Sequence, residues 1–139
     1  MEKYLLLAMF VQVLLTFTVM VIMGRRRFAA AKSKAITMSD FATMKLDNAG
    51  DTVRVADRNF VNQFEVPVLF FAASLAAMQM NAVGYLFTVI AWSFVASRII
   101  HTVIHIGANN LKPRYYSFLV GCLFVLVMWV LVILRVFGI

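Results

Sequence analysis

Four long apolar runs constrain this chain more than any other feature. They extend from Tyr4 to Met23, from about Phe64 to Met80, from Val83 to Ile106, and from Tyr115 to Ile139. Each is roughly 17–25 residues long, the length an α-helix needs to cross hydrocarbon. A helix satisfies its own backbone hydrogen bonds, so it is the open-ended structure that lipid tolerates. With 139 residues in all, four spans leave almost nothing for a soluble domain. The expected fold is therefore an all-α membrane protein, a four-transmembrane-helix bundle with residues 1–139 as a single domain. Composition agrees: 63% of residues are hydrophobic and 14% charged, where soluble domains sit near half and a quarter.

A signal peptide is the competing reading of the first run. Its basic cluster "RRR" at 25–27 follows the apolar stretch instead of preceding it, and no small-residue cleavage site closes it. The run reads as a retained span. Cys122 is the sole cysteine, so no intrachain disulfide forms, and its position inside the fourth run suits a small buried apolar residue.

Basic residues set the expected orientation. The loop after the first span carries Arg25, Arg26, Arg27, Lys32, Lys34, Lys45, Arg54 and Arg58, and the loop after the third carries Lys112 and Arg114. Only Lys3 and Arg135 lie near the opposite ends, so the first and third loops are expected to be cytoplasmic. The net charge of +7 is thus a topology signal. It does not point to nucleic acid, because the charge is divided along membrane edges and no reading module accompanies it.

The long first loop, from Gly24 to about Asp57, is the only soluble-looking segment. Within it "AAAKSKA" (29–35) is expected to form a short interfacial helix and "LDNAGD" (46–51) a turn. Asp57 is expected to cap the second helix. The connection around Asn81 is short, so helices two and three are antiparallel neighbours. Pro113 is expected to stop the third helix, and Pro67 to free a carbonyl and kink the second.

Polar residues break the apolar pattern in a regular way. Arg58, Asn62 and Glu65 fall at i, i+4 and i+7. Within "SRIIHTVIH" and beyond it, Arg98, His101, His105 and Asn109 fall at i, i+3, i+7 and i+11. Residues so spaced share one helix face. Ionisable groups inside a membrane are costly and tend to be functional, so two such stripes on adjacent helices predict a shared polar cleft. Two other readings stay open. Glu65 and Arg98 neutralise one another and only fix packing, or His101 and His105 bind a metal or haem. The i, i+4 pair suits one metal, but no Cys, Asp or Glu joins it on that face, and no metal is expected.

The segments "RNFVNQFEVP" and "SRIIHTVIHIGANNLKPR" resemble the MAPEG family, the membrane-associated proteins of eicosanoid and glutathione metabolism. Arg58, Asn62 and Glu65 match the family's helix-two pattern, and Arg98 and His101 its helix-three pattern. His105 stands where the leukotriene-synthesising branch has tyrosine. The series Arg98, His101, His105, Asn109, Arg114, Phe118, Gly121 looks most like bacterial members.

The resemblance implies a homotrimer in contact with membrane lipids, in the bacterial inner membrane, with glutathione as co-substrate bound between subunits by Arg58, Asn62, Glu65, Arg98, His101 and His105. It further implies a catalytic cation near the start of helix four, which is Lys112 in one register and Arg114 in the other. The expected activity is glutathione-dependent transfer to lipophilic electrophiles, or reduction of lipid hydroperoxides. The alternative from another class is a non-catalytic trimer that holds lipid or a small anion in the same cleft.

Overall fold

The computed structural model describes residues 1–44, 46 and 48–138. Lys45, Asp47 and Ile139 lie outside the described residues, and with them part of the expected basic loop, of the LDNAGD turn and of the fourth run. The chain forms α1 (Glu2–Lys32), α2 (Met38–Thr43), α3 (Asp51–Asn62), α4 (Val66–Gln79), α5 (Tyr85–Ile106) and α6 (Leu111–Val136). Helix α1, the α3–α4 unit, α5 and α6 are each long and apolar enough to cross a membrane. The protein is an all-helical, multi-pass membrane bundle.

Several boundaries differ from the sequence reading. Helix α1 does not end at Gly24. At 1.5 Å per residue its 31 residues span about 46 Å, well beyond ~30 Å of hydrocarbon, so Arg25, Arg26 and Arg27 ride on a helical extension. Residues 29–32 of the expected interfacial helix are the end of α1, and the short helix of this region is α2 instead. Asp57 caps nothing: α3 starts at Asp51 behind Gly50, and the Asp57 carboxylate accepts a hydrogen bond from Arg27. The third helix stops at Ile106, before the proline. Pro113 sits in the first turn of α6, where its missing N–H has no intrahelical partner to lose. Lys112 and Arg114 are consequently helical residues.

The second crossing is interrupted between Asn62 and Val66. Pro67, in the first turn of α4, cannot donate to the carbonyl of Gln63, so a continuous helix loses a bond there. Buried amides gather beside the interruption. Gln12 of α1 donates to Gln63 at 3.1 Å, and Gln63 donates to the Asn59 side chain at 3.2 Å and to Thr102 of α5 at 3.4 Å. All four are shielded from solvent. The network ties three helices together at the depth where the backbone of one is broken.

Below it the packing is apolar. Phe70 of α4 stacks on Phe94 of α5 with ring centroids 4.6 Å apart. Ala8, Ala73, Ala77 and Ala91 are fully buried around them, and small side chains let membrane helices approach closely. Leu6, Phe10, Leu14 and Phe17 of α1 and Leu123, Leu126 and Val130 of α6 face outward, the disposition a lipid solvent requires. Asn81, in the left-handed region at φ 52°, closes the short α4–α5 turn.

Gln63→Leu should lower thermal stability in detergent by about 1–3 kcal/mol, because it strands the amides of Gln12 and Asn59. Adding Gln12→Leu to that variant should cost little more. Strictly additive losses in melting experiments on the two single variants and the double variant would contradict the coupling.

Candidate functional site

The end of the bundle where α3 begins and α5 turns into α6 holds a cavity of about 530 Å³. Three helices build it. Helix α3 contributes Arg54, Arg58 and Asn62 at successive i, i+4 steps, with Asp51 and Val55 at the rim. Helix α5 contributes His101 and His105, and Asn109 follows in the turn. Helix α6 contributes Leu111, Arg114, Tyr115 and Phe118. The two stripes read from the sequence thus meet within one chain, and the start of α6 forms a third wall.

The α5–α6 turn sets the third wall. Asn109 takes the left-handed conformation at φ 50°, which Asn tolerates better than most residues. Its backbone N–H donates to Ile104 O at 2.8 Å. Its side-chain oxygen accepts from Arg114 Nη1 at 2.6 Å, a charge-assisted bond that aims the guanidinium along the cavity wall. Arg26 of α1 donates to Thr52 O at 2.9 Å and to Ile106 O at 3.2 Å. It thereby joins the start of α3 to the end of α5.

Charge in the cavity is unbalanced. Arg54 is paired with Asp51, and both are largely exposed at the mouth. Arg58 and Arg114 have no carboxylate partner among the described residues. A low-dielectric cleft with surplus cations attracts anions.

Two buried groups on α5 complete the arrangement. His101 Nδ1 lies 3.1 Å from Arg114 O and 3.2 Å from Ser117 Oγ. A carbonyl oxygen can only accept, so Nδ1 carries the proton and Nε2 of the neutral ring carries a lone pair. That Nε2 and Nδ1 of His105 are buried with no hydrogen-bond partner among the described residues. Arg98, one turn deeper, is 0% exposed, and its Nε, Nη1 and Nη2 likewise have none. Phe118 lies over its guanidinium, 5.7 Å from ring centroid to Cζ. Gly121 packs against this part of α5: a Cβ there would crowd Ser97 Oγ at 3.0 Å and stand in ordinary contact with Arg98 Nη1 at 3.6 Å.

Of the residues singled out from the sequence, Arg58, Asn62, His101, His105 and Arg114 line the cavity, and Arg98 lies behind its Phe118 wall. Glu65 does not line it. The residue is exposed at the start of α4, close enough to Arg98 to interact electrostatically but in no ion pair among the described residues. Lys112 is exposed and also outside the cavity. Two positions on a helix differ by about 200°, so Lys112 and Arg114 point to nearly opposite sides of α6. No cluster of three His, Cys, Asp or Glu side chains able to hold a metal occurs among the described residues.

The sequence reading passed over Arg54, which continues the Arg58–Asn62 stripe one turn earlier and was detectable by that spacing. It also passed over the Gln12, Asn59, Gln63 and Thr102 network. The signal available there was Gln12, the one amide inside the first apolar run.

Fold and site together define an integral membrane helical bundle with a cation-lined cavity at one end. The family model of the MAPEG family matches residues 5–134, nearly the whole chain, and the protein belongs to that family of glutathione and eicosanoid metabolism. No curated protein and no solved structure matches the chain.

Asn109→Gly should preserve the turn and lose only the Arg114 contact, whereas Asn109→Ala should lose both. The alanine variant is therefore expected to be less stable than the glycine variant by roughly 1–2 kcal/mol, the cost of a left-handed residue with a Cβ. Comparing melting temperatures of the two in one detergent tests this, and equal values would reject it.

Proposed function

We propose that this protein is a homotrimeric, glutathione-dependent transferase or peroxidase of the bacterial inner membrane, acting on lipophilic electrophiles or lipid hydroperoxides. The observation that carries the reading is the cavity in which Arg58 and Arg114, both without carboxylate partners among the described residues, stand beside Asn62 and an apolar wall. Glutathione has two carboxylates, an ammonium, peptide groups and a thiol. Arginine forks suit the carboxylates, and the Asn62 amide suits a peptide group. Leu111, Tyr115 and Phe118 offer the apolar surface that a lipid-soluble acceptor needs.

Glu65 supports the trimer. Its carboxylate is exposed on a face that also presents Phe64, Val68 and Leu69. A charge turned toward lipid is expensive, and a neighbouring copy would cover it. At such a boundary Glu65 would receive the glutathione ammonium while the acceptor enters sideways from the bilayer. The cytoplasmic placement of the first and third loops puts the cavity mouth where cytosolic glutathione can reach it.

Of the two cations that the family pattern offers, only Arg114 lines the cavity, so Arg114 is the one that meets an anionic group of the ligand. Arg114→Gln and Arg58→Gln should each weaken glutathione binding by about 10-fold or more, since a hydrogen bond to a charged group contributes roughly 1.5–3 kcal/mol. Lys112→Gln should leave it nearly unchanged. Calorimetry on protein in nanodiscs measures these constants, and a parallel assay of aryl-halide conjugation and lipid-hydroperoxide reduction measures turnover. Glutathione binding without turnover of any acceptor would favour the non-catalytic alternative. Absence of glutathione binding, with lipid held in the cavity, would establish it.

A further inference from the structure

Arg114 enters the cavity from the fourth residue of α6, and that end of the helix is weakly secured from within. Asn110, the residue before Leu111, makes no side-chain bond to the first turn. Pro113 brings no N–H. The Arg114 N–H donates to Asn110 O at 3.2 Å. A helix end without a side-chain cap is less stable, and each residue turns a helix by about 100°. A loosened first turn would therefore swing the guanidinium off the cavity.

The neighbouring helix supplies the hold. His101 is built into the 22-residue α5 and is 2% exposed. Its ring meets that of His105 edge to face, with centroids 5.4 Å apart, and lies 5.9 Å from the Phe118 ring. From this packed position Nδ1–H reaches the Arg114 carbonyl at 3.1 Å and the Ser117 hydroxyl at 3.2 Å. The Ser117 hydroxyl donates to the same carbonyl at 2.9 Å. Arg114 is thus held twice, at its backbone oxygen by α5 and at its guanidinium by Asn109. The other ring nitrogen, Nε2, is buried, so it is not offered to a ligand in the cavity.

Resting on the glutathione reading, we infer that His101 is a positioning residue: by donating Nδ1–H to the Arg114 carbonyl, it fixes the first turn of α6 in the rotation that turns the Arg114 guanidinium into the cavity. Its own nitrogens contact no ligand atom and carry no proton of the reaction. Spacing along α5 puts His101 among the ligand-binding residues; the hydrogen bonds give it an indirect part instead, through the cation it steadies. Groups that recognise a ligand act best when their neighbours lock them in place, and a bond between two helices at this depth meets little competition from water.

Two amide substitutions separate this role from direct participation. The side-chain nitrogen of Asn falls close to the place of Nδ1, whereas that of Gln falls close to the place of Nε2. His101→Asn should therefore keep near wild-type glutathione affinity, measured by calorimetry in nanodiscs, and near wild-type turnover. His101→Gln should lose the bond to Arg114 O and weaken affinity toward the roughly 10-fold loss expected of Arg114→Gln. In an Arg114→Gln background, His101→Gln should weaken affinity little further, because the cation it positions is gone. His101→Leu has no donor at all, should match His101→Gln, and serves if that variant does not fold. Backbone hydrogen exchange in the ligand-free protein reads the hold directly: residues 114–118 should exchange faster in His101→Gln than in wild type or His101→Asn. Lost turnover with retained affinity in His101→Asn would overturn the inference, since a ring nitrogen would then take part in the chemistry. Additive losses in the double variant, or equal exchange in wild type and His101→Gln, would overturn it as well. A wild-type protein that binds no glutathione would reject the functional reading, and the exchange rates would still decide whether His101 holds α6.

Discussion

An amide or guanidinium carried into hydrocarbon has no water to fall back on, and this bundle is arranged around that constraint. The second crossing is broken near Pro67, and the break is accompanied by amides from α1 and α3 and a hydroxyl from α5 that bond one another. The rest of the span can then pack on small residues, with Phe70 against Phe94 at the centre. Were the crossing one straight helix, α3 would continue the direction of α4. The interruption lets α3 be set separately, leaning on α1 through Arg27 and Asp57 and through Arg26.

The cavity lies between α3 and the corner formed by α5 and α6. Arg26 reaches the backbone at the start of α3 and at the end of α5 with a single guanidinium, so one side chain sets the distance between two walls. Asn109 does the same for the third wall, combining a left-handed turn with a bond to Arg114. The surplus cations are held on helices, and Asn109 anchors Arg114, which favours preorganised recognition of an anion over a fit made after binding.

The cavity also has a gradient of polarity from its mouth to its deep end. Its mouth carries the exposed Asp51–Arg54 pair, its middle Asn62 and the histidines, and behind its deep wall lies a guanidinium shut away from water. Electrostatic interactions strengthen along that path as the local dielectric falls.

Much of this was legible in the sequence. The length and apolarity of the four runs require membrane helices, and the spacing of Arg58 and Asn62, and of Arg98, His101 and His105, places each set on one helix face. Both follow from covalent regularity alone: a helix repeats every 3.6 residues and hydrocarbon has a set thickness. Periodicity cannot tell which faces meet or where a helix stops in three dimensions. Glu65 belongs to the Arg58 stripe by spacing, yet the break before α4 turns it out of the cavity. Lys112 and Arg114 are equivalent by composition, yet the start of α6 at Leu111 puts one on the cavity and the other away from it. Arg98 reads from the sequence as one more ligand-binding arginine, whereas packing against Gly121 and Phe118 buries it with no hydrogen-bond partner among the described residues. Burial and pairing depend on contacts between residues far apart in the chain, and those only the tertiary structure decides.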